Sequence, residues 1–131
     1  MIIDTSALMA VLRLEPEARR IANAIKAADR RALSAATLVE AGIVAEARAG
    51  EQGARDLDGM LSRMRIEVIP LTESHAAYAR RAFRRYGKGQ GHPAQLNFGD
   101  CFAYALARAT GEPLLFKGGD FSKTDIEAAH F

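Results

Sequence analysis

Apolar positions along the chain alternate between short continuous runs and longer periodic stretches, and that alternation predicts the elements. Met1–Ile3 reads as a short buried strand, and Ser6–Leu12 as a helix entered through Asp4, Thr5 or Ser6. The stretch EPEARRIANAIKAA (15–28) has helical spacing, with Pro16 placed in the first turn, where a missing N–H is tolerated. RALSA (31–35) predicts a second strand. In TLVEAGIVAEARAG (37–50), Leu38, Val39, Ile43, Val44 and Ala47 give an amphipathic helix ending near Gly50, and GARDLDGMLSRM (53–64) gives another. IEVIPL (66–71) is a third strand with β-branched residues. TESHAAYARRAFRRYG (72–87) is a helix with a basic flank, and GKGQGHPAQ (87–95) is a loop by every turn signal. NFGDCFAYALARATG (97–111) is a helix closed by Gly111, and PLLF (113–116) a fourth strand. The end, KGGDFSKTDIEAAHF, opens with a Gly-Gly turn and carries a short final segment.

Strands separated by one or two helices pair in parallel through right-handed crossovers. The expected fold is therefore α/β: a three-layer α/β/α sandwich on a parallel sheet of four or five strands, with residues 1–131 as a single domain.

Composition narrows the chemistry. Of 131 residues 49% are apolar and 26% charged, enough to build a core and inconsistent with disorder. The single cysteine, Cys101, excludes an intrachain disulfide and a thiolate metal cluster, and reads as a small buried helix residue. No basic segment precedes a long apolar run and no stretch has membrane-spanning length, so the expectation is a cytoplasmic protein without a membrane partner.

In open α/β sheets ligands bind beyond the carboxyl ends of the strands. Four acids fall in that zone. Asp4 ends the first strand, Glu40 lies early in the helix after the second, Asp100 opens the helix before the fourth, and Asp120 follows the fourth across Gly118–Gly119. Each has a structural explanation. Thr37-Leu38-Val39-Glu40 matches a capping box, Asn97-Phe98-Gly99-Asp100 offers an asparagine cap, Asp4 caps the first helix, and Asp120 stabilises a turn. Two observations point elsewhere. Glu40 shares a helical face with Ala36, Ile43, Val44 and Ala47, and Asp100 shares one with Ala103, Tyr104 and Ala107. A carboxylate on a core-facing stripe is costly unless paired or bound to a cation, and no lysine or arginine lies on either stripe. Converging carboxylates favour a divalent cation, and oxygen-only ligands suit Mg²⁺ or Mn²⁺. Zinc is disfavoured because His75, His92 and His130 have no ligand spacing. Such a site serves phosphoryl chemistry, with water as nucleophile and a carboxylate accepting its proton.

Taken in order, IIDTSAL, SAATLVEAG, LNFGDCFAYALA and LLFKGGDF resemble the acidic motifs of PIN-domain ribonucleases, in the spacing of the VapC-type toxins of toxin–antitoxin modules. The resemblance covers nearly the whole chain. It implies Mg²⁺- or Mn²⁺-dependent endonucleolytic cleavage of RNA, with Asp4 and Asp100 as principal metal ligands and Glu40 and Asp120 completing the cluster. It also implies that Ser6 organises the pocket and that Asn97 is a cap behind the ligands. A homodimer and a cognate antitoxin whose tail covers the active site are further implications. One departure stands out: many relatives carry an additional acid two positions before the aspartate of the DF pair, where this chain has Gly118. That bears on the role of Asp120 and on a second metal ion.

Surface charge fits RNA. With the four site acids set aside, 18 basic residues face 12 acidic ones. Arg80/Arg84 and Arg81/Arg85 form four-apart pairs on one helix, followed by Lys88 in the glycine-rich loop, which is expected to be mobile and near Asp100. A solvated helix flank explains the same run. Phe102, Tyr104, Tyr78 and Phe83 sit at helical spacing and read as core. Two other classes compete. A phosphoacceptor signalling domain fits Lys117 but lacks an acceptor aspartate after VIPLTES, and a catalytically silent module would keep the fold only to hold a protein partner.

Overall fold

The computed structural model describes residues 1–131. Four short strands, β1 (Ile2–Ile3), β2 (Ala32–Ser34), β3 (Glu67–Ile69) and β4 (Leu114–Leu115), pair in parallel in the order β3-β2-β1-β4. The register sets Ile2 beside Ala32 and Leu114, and Ile3 beside Leu115. Because side chains alternate along a strand, this register sorts the apolar residues into two layers.

Ile2, Ala32 and Leu114 face one way, onto α4 (Glu73–Tyr86) and α5 (Asp100–Thr110), where Ala79, Ala82, Ala103 and Leu106 complete the layer. Ile3, Leu33 and Leu115 face the other way, onto α1 (Thr5–Leu12), α2 (Ala18–Ala27) and α3 (Ala35–Arg63), against Leu8, Ile21, Ile25 and Leu57. The result is the expected three-layer sandwich on a four-stranded sheet. Leu33 and Leu115 are fully buried, so truncating either to alanine costs about 2–5 kcal/mol. The fifth strand is reduced to one bridge, Leu114 to Ala128.

Several elements differ locally from the sequence expectation. Pro16 lies in a turn before α2 rather than inside its first turn, because α2 begins only at Ala18. The two helices expected over 37–64 are one helical run bent at Ala49–Gly50, where Gly50 takes φ +60°, a conformation that glycine adopts without a Cβ penalty. β3, the expected third strand, is an exposed edge strand. The stripe shared by Glu40 and Ile43 does not face the core: Val39 and Ile43 are 62% and 64% exposed, and the buried stripe is Thr37, Ala41 and Ala45. α3 leaves β2 with no intervening loop, so its first turns stand at the sheet edge with only one side covered. Phe83, expected in the core, is also exposed, whereas Tyr104 and Cys101 are buried as expected.

The glycine-rich segment after α4 is not a free loop. Lys88 N–H donates to the Leu96 carbonyl at 2.8 Å and Leu96 N–H to the Tyr86 carbonyl at 2.9 Å, with Ala94 and Leu96 buried beneath. His92 packs edge-on against Tyr86. β1 connects to β2 on one side and lies beside β4 on the other, so the strand order reverses at the carboxyl end of β1. Asp4 stands at that point.

Candidate active site

Asp4 follows β1 directly and caps α1. Its Oδ2 accepts from the Ser6 backbone N–H at 2.9 Å and from the Ser6 hydroxyl at 2.6 Å. Ser6 Oγ accepts in turn from the Lys117 backbone N–H at 2.9 Å, which ties the end of β1 to the residue after β4. Capping and site placement thus belong to the same carboxylate. Asp4 is 4% exposed, and burial pushes its carboxyl above the ordinary range despite the opposing Ser6 and Thr5 hydrogen bonds.

Glu40 is not part of a capping box. α3 starts at Ala35 with Ser34 as its cap, the Ala36 N–H donating to Ser34 Oγ at 3.2 Å. Thr37 is therefore already inside the helix, buried, with its hydroxyl unpartnered. Glu40, one turn on, lines the groove beyond β1. Burial and then the charge of Asp4 raise its carboxyl, while the Thr5 hydroxyl beside it eases the shift without reaching good hydrogen-bond geometry. The carboxylate lies against the Gly99 backbone so closely that a Cβ there would sit 1.4 Å from Oε2. Only glycine leaves that space.

Asp100 opens α5 through a reciprocal cap. The Asn97 N–H donates to Asp100 Oδ2 and the Asp100 N–H to Asn97 Oδ1, both at 2.9 Å. Asn97 is the cap that the sequence predicts, and it orients one carboxylate oxygen while the other is free. Burial, opposed by the Asn97 N–H and reinforced by Asp4, Glu40 and Asp120, pushes the Asp100 carboxyl up to about 7. Asp120 is exposed, makes no side-chain cap on the 3-10 turn Phe121–Lys123, and touches the group through its charge on Asp100. Three of the four acids line one groove of about 430 Å³ and the fourth stands outside its lining; Gly118 is part of the wall.

The groove's two cations are engaged elsewhere. Lys117 pairs with Glu15 and, at 2.9 Å, with Glu17, and Arg13 lies 3.9 Å from Glu15. No ion pair joins a lysine or arginine to Asp4, Glu40 or Asp100. This also removes Lys117 from a phosphoacceptor role. His75 completes the capping box of α4 with Thr72, and His92 packs on Tyr86, so neither enters the groove. No three His, Cys, Asp or Glu side chains stand close enough together to hold a metal ion between them. Oxygen donors without a cationic partner suit a hard divalent cation that keeps part of its water shell.

The basic run on α4 splits. Arg80 and Arg84 line an apolar cavity of about 480 Å³ with Phe83, Phe98 and Phe102. Arg81 and Arg85 turn to the opposite flank, toward Tyr104 and Asp125, and Lys88 is exposed in the loop. Sequence reasoning missed Gly99, the Lys117 backbone N–H, and the Arg13/Glu15/Glu17/Lys117 group. Only Gly99 had a local signal, a glycine inside a helix-capping motif.

The family model described as PIN domain matches residues 1–127. The chain belongs to the PIN-domain family. Ribonuclease VapC30 of Mycobacterium tuberculosis is 50% identical over 126 residues, covering 96% of this chain and 95% of that one. Among solved structures, the PIN domain here resembles Mycobacterium tuberculosis VapC20, described as a sarcin-ricin loop cleaving toxin (TM-score 0.77, 18% identity, 95% of each chain). It also resembles a chain of a toxin–antitoxin complex from Klebsiella pneumoniae (TM-score 0.67, 20% identity, 92% of this chain and 89% of that one). VapC-type PIN domains depend in general on a divalent metal. No helix is long and apolar enough to cross a membrane.

Proposed function

We propose that this PIN domain is an endoribonuclease and the toxin of a toxin–antitoxin pair, acting on RNA with Mg²⁺, or Mn²⁺ in its place. The observation that carries this reading is the convergence of Asp4, Glu40 and Asp100, from three separate elements, into one groove without a cationic side chain paired to any of them. Family membership and half-identity to a named VapC ribonuclease support the substrate class.

Asp4 and Asp100 would hold the metal, with Glu40 and Asp120 completing the acidic cluster around it. When bound, the ion supplies Lewis-acid stabilisation of phosphate oxygens and of the attacking water. Ser6 holds Asp4 Oδ2 by two hydrogen bonds, and Asn97 holds Asp100 Oδ2, so both carboxylates present their remaining oxygen in a fixed direction. Glu40, whose carboxyl burial and Asp4 hold above its ordinary range, takes the proton from water as its oxygen adds to phosphorus and the phosphorus–oxygen ester bond breaks. The departing oxygen takes a proton from solvent.

An antitoxin segment and a second copy of the chain are the proposed protein partners. Val39, Ile43 and Phe98 are exposed beside Glu40 and Asn97, around a cavity of about 430 Å³ that an apolar peptide side chain could fill.

The test is cleavage of single-stranded RNA by purified protein, first in chelator and then with Mg²⁺ or Mn²⁺ restored. Cleavage that returns with metal, and is absent from Asp4→Asn at matched folding, is the expected result. Metal-independent cleavage, or full activity in Asp4→Asn, would overturn the reading.

A further inference from the structure

A second site lies away from the acids, on the flank where α4 and α5 meet the C-terminal segment. Tyr78, Arg81, Arg85, Tyr104, Arg108 and Asp125 line a pocket of about 230 Å³ there, with Tyr86 at its base. Three guanidiniums and one carboxylate therefore line the same pocket. Both oxygens of Asp125 are engaged: Oδ1 accepts from the Tyr104 hydroxyl at 2.8 Å, and Oδ2 lies 3.6 Å from Arg85 Nη1. Arg81 and Arg108 take part in no ion pair with any carboxylate.

The arginines are also held in place. The Arg81 guanidinium lies 4.7 Å from the centroid of Tyr78, and that of Arg85 lies 4.9 Å from the centroid of Tyr86. Stacking on a ring fixes the plane of the fork and lowers the entropy lost when its N–H donors meet a ligand. Forked donors in a fixed plane match the paired oxygens of a phosphate.

Two connections link this pocket to the acidic groove. Asp100, Tyr104 and Arg108 follow at four-residue intervals on α5, so the pocket begins one turn from Asp100 and ends about 12 Å from it along the helix. The segment Asp120–Asp125 covers the same interval from the other side: its first residue acts on Asp100 through its charge, and its last bonds Tyr104.

We propose that this arginine–tyrosine pocket binds a backbone phosphate of the RNA strand held at the acidic groove, a few nucleotides from the bond that is cut. The proposal rests on the ribonuclease reading above. Arg81 and Arg108 supply the donors, while Asp125 and Tyr104 orient Arg85 and keep the pocket open. These are positioning residues, set apart from the reacting atoms.

The experiment compares the full-length protein with Arg81→Ala and Arg108→Ala, both exposed positions, and with Arg81→Lys and Arg108→Lys. In cleavage kinetics on a long single-stranded RNA, each alanine variant is expected to raise KM roughly tenfold with kcat unchanged. The lysine variants recover part of the loss, and a tetranucleotide too short to reach the pocket shows no difference. In the Asp4→Asn background with Mg²⁺, each lost arginine lowers the slope of log affinity against log salt by about 0.7. Inorganic phosphate is included as a competitor. Displacement of the long RNA from the pocket only at high phosphate concentration supports a site built for a tethered phosphate, and complete competition at low concentration overturns it in favour of a free-phosphate site. Loss of binding to an acidic peptide with RNA kinetics unchanged overturns it in favour of a protein partner. RNA cleavage with normal KM in both alanine variants overturns the pocket alone, whereas no RNA cleavage by the parent overturns both this proposal and the ribonuclease reading.

Discussion

Two groups of acids stand beside the same groove and behave oppositely. Asp4, Glu40 and Asp100 are desolvated, unpaired with any cation, and all shifted toward the protonated form. Glu15 and Glu17, a short distance along the wall, share Lys117, and the Glu17 carboxyl is held below its ordinary value first by that lysine's hydrogen bond. Acid count does not separate the two groups. What separates them is whether the protein itself supplies the counter-charge: the second group is neutralised within the chain, and the first leaves that to something it binds.

The comparison breaks most decisively at the first group. Asp4→Asn and Asp100→Asn are expected to lower RNA cleavage by roughly 10³-fold while each chain stays folded, measured as kcat alongside thermal melting. A loss of folding equal to the loss of activity would make these acids structural.

A smaller effect is expected one step back. Gly99→Ala places a Cβ on top of the Glu40 carboxylate, which has to swing away. Cleavage should fall roughly 10- to 100-fold with little change in melting temperature, since Gly99 sits in a partly exposed cap. Normal activity would remove Glu40 from the reaction.

The acid shifts also predict a pH dependence of the metal-free protein. The folded chain holds the Asp100 proton up to about pH 7, whereas the ordinary value is 3.8. The folded state binds the proton more tightly, so this contribution to stability is complete below pH 3.8 and is lost as pH rises toward 7. Melting temperature in chelator should fall over that window, and Asp100→Asn should flatten the fall. Mg²⁺ should restore stability above pH 7, where the carboxylate is charged. A melting temperature that rises through the window in chelator would reverse the assignment.

The smallest effect belongs to the second group. Lys117→Met frees Glu15 and Glu17 in a partly exposed setting, so a slight drop in melting temperature is expected. Activity should be nearly unchanged, because Ser6 is held by the Lys117 backbone N–H and not by its side chain. A loss comparable to that of Asp4→Asn would erase the distinction between the groups.

The sequence carries the fold well where period and punctuation agree. Two-residue strands were legible because their residues are continuously apolar and buried, and Gly50 marked the bend in α3. The same rules misplaced the start of that helix. Thr37 looked like a cap because serine and threonine cap interchangeably, but Ser34, at the end of β2, takes the role and turns Glu40 into the groove. Asp4, Asp100 and Asn97 were legible because a strand end and a helix start are both local signals. The splitting of the arginine run, and the pairing of Lys117 with Glu15 and Glu17, join residues far apart in the chain and depend on how α2, α4 and the segment after β4 pack. No single stretch encodes them.

The most direct test of the central claim is calorimetric titration of Mn²⁺ into the parent chain, Asp100→Asn and Lys117→Met above pH 7, under identical conditions. The parent and Lys117→Met should bind the ion alike, and Asp100→Asn should lose most of that binding. Undiminished binding by Asp100→Asn, with the loss falling on Lys117→Met instead, would contradict the account.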